Sequence, residues 1–301
     1  MALDTPRRLS VLWATDGSAN ARNAVAFLKQ IVLPAARRLV VLAVAPHSIL
    51  SGARPDPAFL TRVTAAARRR ALQEAEQLAQ RQATQLDPPS IEVEALARWG
   101  NPIEQILRVS RWASADIIVL GAKGHSNLGL ILMGSVSQGV VQHAIKPVLV
   151  ARPGTDRVRR ILVAYHGSTA AGRALRFLDR LALPSETELM LTYVVEPFAV
   201  PSGMPVSYRR RAIEEAHQIN ERRHRQAARA LKAAAEKVSW RVDVEVIGGQ
   251  PGLELDAAAR RHHADLIVVG SRRPSPARHY LLGSTAEKLV RHAHTSVLVV
   301  R

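Results

Sequence analysis

The chain has 301 residues, 47 % apolar and 4 % aromatic, with a net charge of +17, and is longer than one hydrophobic core usually serves, so two domains are expected. Zero cysteines exclude disulfides, iron–sulfur clusters, thiolate zinc sites and a cysteine nucleophile, and suit a reducing cytoplasm, the expected location. No stretch approaches eighteen uninterrupted apolar residues, and the start, Met1-Ala2-Leu3-Asp4-Thr5-Pro6-Arg7-Arg8, lacks the basic-then-apolar layout of a secretory signal, so neither membrane insertion nor export is expected.

In chain order, a first apolar run at 10–14 ends in Asp16-Gly17-Ser18 and leads into helical spacing over about 19–30. A second run at 39–45 precedes a long Ala-, Arg- and Glu-rich helix at 57–86. Asp56-Pro57 reads as its start, because proline at the first helical position loses no hydrogen bond and already has a helical φ. A strand at 91–96 is followed by a helix at 101–113, opened in the same way by Asn101-Pro102. The fourth strand, 116–120, runs into a glycine-containing loop; a helix at 135–145 and a strand at 148–150 close the unit. Apolar runs without alternation are buried on both faces. Strands alternating with helices then give a three-layer αβα unit around a parallel sheet with right-handed crossovers.

The rest of the chain repeats this unit. Arg8-Leu9-Ser10-Val11-Leu12-Trp13-Ala14-Thr15-Asp16-Gly17-Ser18 is echoed by Arg159-Arg160-Ile161-Leu162-Val163-Ala164-Tyr165-His166-Gly167-Ser168 at an offset of 150. At an offset of 149, Asp116–Gly121 recurs as Asp265–Gly270, Gly134-Ser135 as Gly283-Ser284, and Pro147-Val148-Leu149-Val150 as Ser296-Val297-Leu298-Val299. A period this long means two copies of a domain and not a solenoid. The join falls at Arg152-Pro153-Gly154-Thr155-Asp156, giving expected domains 1–153 and 156–301, the second with its long helix at about 207–237. Charge is spread evenly, +8 over residues 1–155 and +9 over 156–301. Thirty-six of the 42 cations are arginine, and the twelve aromatic residues do not interleave with them as base stacking needs, so specific nucleic-acid binding is not expected. Each copy ends on an apolar strand at a sheet edge, which invites pairing, so the halves are expected to pack as a pseudo-symmetric pair.

Chemistry concentrates in the loop after the fourth strand. Gly121-Ala122-Lys123-Gly124, nine further residues and Gly134-Ser135-Val136-Ser137 make the pattern G-x2-G-x9-G-[S/T]. Glycines let the main chain approach a ligand closely, Lys123 adds a positive charge, and the helix start at Gly134 aims backbone N–H groups and hydroxyls at one point, a ready anion site. Neither a Walker A loop nor a G-x-G-x-x-G fingerprint is present. In a sheet ordered 3-2-1-4-5 the first and fourth strands are neighbours at the switch point where ligands bind, which sets Asp16 opposite this loop. Asp16 has a second reading, as the cap of the helix after Gly17-Ser18.

On the Asp16-Gly17-Ser18 strand end, the Asp116–Gly121 strand, the glycine loop and the terminal Pro-Val-Leu-Val strand, the chain resembles a tandem universal stress protein over nearly the whole of both halves. The resemblance implies two Rossmann-like domains of the adenine nucleotide alpha hydrolase-like kind, each with a five-stranded parallel sheet ordered 3-2-1-4-5. It implies ATP as the ligand, with Mg²⁺ accompanying the phosphates and not held by the protein. Ala14, Asp16 and the main chain near Val44 would face adenine and ribose; Gly121, Lys123 and Gly124 would line ribose and phosphates; Gly134, Ser135, Val136 and Ser137 would hold the phosphates. Pairing through the fifth strand is implied as well, and a homodimer of whole chains stays open. The second half departs from the pattern: His166 replaces Asp16 and Arg273 replaces Gly124, while Gly270, Gly283, Ser284 and Thr285 keep their spacing. A side chain at Arg273 obstructs close backbone approach, although its guanidinium offers a phosphate grip of its own.

Other candidates carry less. His262-His263 and His292-Ala293-His294 lack i,i+4 spacing and a nearby carboxylate, so no metal site is expected. Ser18, Ser135 and Ser168 lie outside any G-x-S-x-G elbow. The long helix with Arg209-Arg210-Arg211 and Arg222-Arg223-His224-Arg225 offers a polyanion or lipid-surface contact, but its interspersed Glu214, Glu215, Glu221 and Glu236 favour a solvated face laced with ion pairs. Three functions are compatible with these residues. The first is a cytoplasmic ATP-binding stress-response or regulatory protein working through nucleotide-dependent conformation or partner binding. The second is a slow ATPase or nucleotide-transferring enzyme using the same pocket, for which no catalytic residue stands out. The third is an interaction module holding a lipid or acidic ligand.

Overall fold

The computed structural model describes residues 8–46, 57–86, 91–122, 133–271 and 282–301. Asp56, Lys123, Gly124 and Arg273 lie outside the described residues. The first half contributes strands β1 (Leu9–Ala14), β2 (Ala36–Pro46), β3 (Glu92–Gly100), β4 (Ile117–Gly121) and β5 (Val148–Ala151). The second contributes β6 (Arg160–Ala164), β7 (Glu188–Val195), β8 (Val242–Gly248), β9 (Leu266–Gly270) and β10 (Ser296–Val300). They form one ten-stranded sheet ordered β3-β2-β1-β4-β5-β10-β9-β6-β7-β8, so each half has the expected 3-2-1-4-5 order. Pairing inside each half is parallel.

All six residues of β1 are buried, as a strand covered on both faces requires. Leu9, Val11 and Trp13 enter one core layer, Leu12 and Ala14 the other, in the two-residue alternation of a strand. The helices are α1 (Ala19–Arg22), α2 (Ala24–Phe27), α3 (Pro57–Leu86), α4 (Pro102–Trp112) and α5 (Ser135–His143), then α6 (Thr169–Leu178), α7 (Val206–Ala235), α8 (Pro251–Arg261) and α9 (Ser284–His292). Asn101 caps α4 as its sequence indicated, accepting from the N–H groups of Ile103 at 2.9 Å and Glu104 at 3.3 Å. Along α7, Arg210–Glu214, Arg211–Glu215 and Arg225–Glu221 form exposed pairs four residues apart, the ion-pair lacing expected there.

Three elements differ from expectation. The helix expected at 19–30 is broken into α1 and α2, a π-helical turn at Leu28–Val32 and a 3₁₀ turn at Leu33–Ala35. Pro34 has no N–H to continue the ladder, and the carbonyl of Ile31 accepts instead from Ala182 N in the other half at 2.9 Å. β2 starts at Ala36 and not near 39: it pairs with β1 from Leu9↔Ala36 onward, and Arg38 is neutralised on β3 by Glu94 at 2.5 Å and Glu92 at 3.5 Å. β3 continues beyond 96 to Gly100, since it pairs with β2 as far as Pro46↔Gly100.

Between the halves, β5 and β10 pair antiparallel with Val150↔Val297, Leu149↔Leu298 and Val148↔Val299 in register. Both core layers draw on both halves: Leu149 and Leu298 share one, Val148, Val150, Val297 and Val299 the other. Polar contacts line the same seam. Arg180 meets Asp116 at 3.0 Å, and the Gln30 side chain accepts from Val158 N at 2.9 Å and donates to Asp156 O at 2.5 Å.

Candidate functional site

β1 ends between β2 and β4 and leads into a tight turn. Thr15 N–H donates to Leu42 O at 2.9 Å, extending the β1–β2 ladder by one bond. Gly17 has φ +72°, which favours glycine, and its N–H donates to Thr15 Oγ1 at 3.1 Å. Asp16 is exposed; its Oδ1 accepts from Ser18 N at 3.0 Å, while Oδ2 takes no hydrogen bond among the described residues. Ser18 Oγ accepts from Ala21 N at 3.2 Å and caps α1. Capping therefore belongs to Ser18, and Asp16 presents a carboxylate at the carboxyl edge of the sheet.

Gly121 closes β4 beside this turn. A Cβ there would lie 2.3 Å from Asn20 O, so the first turn of α1 rests directly on the strand end and only glycine fits. Ser137, 6 % exposed in the first turn of α5, donates from Oγ to Gly121 O at 2.8 Å. Its proton is committed to the protein, which makes Ser137 the residue that ties α5 to β4. Gly134 precedes α5 with an ordinary extended φ of −67° and provides no side-chain cap, leaving the first N–H groups of the helix without a side-chain partner among the described residues. Ser135 is exposed and Val136 half-buried at this end. Ala14 is buried at the end of β1; Val44 is half-buried on β2, opposite Arg98 of β3.

The structure thus brings Asp16, Gly121, Gly134, Ser135, Val136 and Ser137 to one edge of the sheet, through β1 pairing with β4 and the Ser137–Gly121 bond. An uncapped helix start with partial positive charge next to an exposed carboxylate suits a ligand carrying an anionic group at one end and hydrogen-bond donors at the other. In the second half the backbone repeats: Gly167 has φ +78°, Ser168 Oγ accepts from Ala171 N at 3.2 Å, and a Cβ on Gly270 would lie 2.3 Å from Ala170 O. Two features at this edge do not repeat. His166 is exposed in place of Asp16, and Gly283 enters α9 with φ +84° where Gly134 is extended.

The histidine pairs have carboxylate partners that their sequence neighbourhoods do not show. His294 Nδ1 lies 2.7 Å from Asp256 Oδ1, and His262 Nε2 lies 3.1 Å from Glu245 Oε2, so the expectation of no nearby carboxylate is corrected by the fold. Burial pushes Asp256 up, but the side-chain and backbone hydrogen bonds from His294, with the charges of His294 and Arg260, outweigh it and hold the carboxyl at about 2. Among the described residues, no group of three or more His, Asp or Glu side chains is placed to hold a metal ion. No helix among them is long and apolar enough to cross a membrane.

Comparison with known proteins agrees in both halves. The model of the universal stress protein family matches residues 8–152 and again 157–301. A universal stress protein of Methanocaldococcus jannaschii is 29 % identical over 154 residues, covering 50 % of this chain and 87 % of the relative. One from Thermus aquaticus is 35 % identical over 144 residues, covering 48 % of this chain and 98 % of the relative. Among solved structures, a universal stress protein from Archaeoglobus fulgidus superposes with a TM-score of 0.66 at 24 % identity, covering 97 % of this chain and 98 % of its own, which shows the shared fold.

Proposed function

Because this chain belongs to the universal stress protein family in both halves, we propose that its first half binds ATP and that the protein is a cytoplasmic stress-response regulator working through nucleotide-dependent conformation or partner binding. One observation carries this: the exposed Asp16 carboxylate, the Gly121 strand end and the uncapped start of α5 stand together at the switch point between β1 and β4. Asp16 Oδ2 accepts from ribose or adenine, with Ala14 and the main chain at Val44 beside it. The α5 N–H groups with Ser135, and Lys123 and Gly124 by their sequence, serve the phosphates; Ser137 positions the helix through Gly121. Mg²⁺ travels with the phosphates.

Domains spanning 1–153 and 156–301 then act as an intramolecular pair, supported by the β5–β10 ladder. We assign binding and not fast turnover to this edge, with Asp16 acting as an acceptor for ribose or adenine and not as a general base. A second reading, an amphipathic acid in the second half, has one observation in its favour. A groove of about 570 Å³ between Phe198, Val200 and Ile213 is bordered by Arg209, which has no carboxylate partner among the described residues.

Mass spectrometry of ligand released from natively purified protein, with calorimetric titration of the intact chain, tests the assignment. ATP at one site per chain, lost in Gly124→Arg, supports it. Two equal sites, or a variant that binds as before, sink the assignment to the first half, and a retained lipid with no ATP binding favours the second reading.

A further inference from the structure

Two buried arginines cross the seam between the halves reciprocally. Arg152, directly after β5, is 1 % exposed and donates from Nη2 to Val290 O in α9 at 2.7 Å. Arg301, directly after β10, is 4 % exposed and donates from Nη2 to Val141 O in the last turns of α5 and to Gln142 O at 3.4 Å. Arg152 and Arg301 are repeat equivalents, and so are Val141 and Val290, all at the 149-residue offset. Burial lowers each guanidinium to about 10, partly offset at Arg152 by Asp256, so both are charged at neutral pH.

The equivalence stops at one hydroxyl. Arg301 Nη1 donates to Ser271 Oγ at 3.0 Å, and Ser271 Oγ donates to Leu282 O at 2.5 Å, immediately before the Gly283 cap of α9. The repeat equivalent of Ser271 is Ala122, and Arg152 Nη1 is buried without a hydrogen-bond partner among the described residues. A continuous polar chain therefore runs from the α5 carbonyls through Arg301 and Ser271 to the start of α9. The mirror chain, from the α9 carbonyls through Arg152 toward the start of α5, is cut at Ala122.

We infer that Arg301 and Ser271 couple the first-half site to the second half, carrying a displacement of α5 to the entrance of α9. Helix α5 has nine residues, about 13 Å at the helical rise of 1.5 Å per residue, and is too short to absorb a shift by bending. Its start is the end assigned to phosphate, and its far end is the part Arg301 holds. A ligand that moves α5 moves the guanidinium, and the shared hydroxyl passes that movement to Leu282. The nucleotide part of this rests on the ATP assignment above; the mechanical part does not.

The experiment is amide hydrogen exchange on the full chain, read at Gly283–Ala286, with two independent perturbations of α5. One is saturating ATP. The other is Ser137→Ala, which removes the bond to Gly121 O and needs no nucleotide. Each is expected to change exchange at Gly283–Ala286 by about fivefold or more, the lower end of ordinary coupling between sites. Both responses should vanish in Ser271→Ala, and also in Arg301→Lys, which keeps the charge and loses the forked geometry. Ser271→Thr, which retains a hydroxyl, should restore them. Responses that persist when the hydroxyl or the fork is removed overturn the inference, as does a wild-type background in which Ser137→Ala never reaches Gly283–Ala286. If calorimetry finds no ATP binding while Ser137→Ala still reaches them, the coupling stands and the nucleotide assignment falls.

Discussion

Gly17 and Gly167 hold φ values of +72° and +78°, and Ser18 and Ser168 cap the helices after them at the same 3.2 Å, yet the residue ahead of each pair is Asp16 in one half and His166 in the other. The scaffold of the turn is duplicated and its chemistry is not. The same split recurs at the strand ends. Gly121 and Gly270 each accept a helix backbone against them, but the tie beyond them runs from helix to strand in the first half, Ser137 to Gly121 O, and from strand to loop in the second, Ser271 to Leu282 O. What the halves share is what holds the sheet and helices together; what they do not share lines the edge to which a ligand is assigned above.

The largest expected effect tests the shared part. Gly121→Ala and Gly270→Ala each drive a Cβ to 2.3 Å from a backbone carbonyl oxygen that no rotamer change can relieve. Each should cost roughly 3 kcal/mol, the top of the usual overpacking range, and the two costs should be nearly equal by chemical denaturation. A tolerated substitution in one half alone would show that the scaffolds are less alike than their geometry indicates.

Next comes the part that differs. Asp16→Ala should weaken ATP binding by about 1–3 kcal/mol, roughly 5- to 150-fold, the scale of a lost hydrogen bond to a charged acceptor. His166→Ala should leave the titration unchanged. Equal losses from the two substitutions would erase the functional asymmetry.

Much of the fold was legible in the sequence, and the exceptions have physical reasons. Unbroken apolar runs such as Ile117–Leu120 locate the doubly covered strands, and the 149- and 150-residue offsets display the duplication. The start of β2 was hidden because Arg37-Arg38 looks like loop; the ladder to β1 from Leu9↔Ala36 makes it a strand, and Glu92 and Glu94 on the neighbouring strand pair with Arg38. Gly121 reads as a ligand-facing glycine, but packing against Asn20 alone already demands it. His294 and Asp256 stand 38 residues apart, and nothing local marks them as partners. Arg152 looks like a linker charge; the signal available was that it and Arg301 both come after a Val-Leu-Val run at the repeat offset.

A smaller effect should appear in acid. Asp256 sits at about 2, below the ordinary carboxylate value of just under 4, so its contribution to stability is complete above about pH 4 and is lost as pH falls through 2. Its repeat equivalent is Leu107, and that of His294 is Ile145, so this sensitivity belongs to the second half alone. Asp256→Asn should lower stability at neutral pH by about 1 kcal/mol, allowing for solvent screening of a partly exposed pair, and should leave little difference from wild type near pH 2. A constant difference across that range in urea titrations would show that the carboxylate's charge is not what stabilises.

The smallest effect is the most pointed, because it makes one half imitate the other. Ala122 is wholly buried at the position where the equivalent Ser271 gives Arg301 both an acceptor and an onward bond to Leu282 O, while Arg152 Nη1 has no hydrogen-bond partner among the described residues. Met133 is the repeat equivalent of Leu282, so its carbonyl is the acceptor this substitution tests at position 122, with Gly134 after it extended where Gly283 has φ +84°. Ala122→Ser should then stabilise the chain by roughly 0.5–1 kcal/mol, the net worth of one satisfied hydrogen bond, because the cost of the orphaned N–H is already carried by the wild type. Opposing this is the volume of one oxygen in a closed site, which is why the gain is placed at the low end. Ser271→Ala supplies the control, since it creates in the second half the deficit the first half already has, and should destabilise by about 1–3 kcal/mol. If Ala122→Ser destabilises as much as Ser271→Ala, position 122 is small because the site has no room, and the missing hydroxyl is a packing constraint and not a lost link.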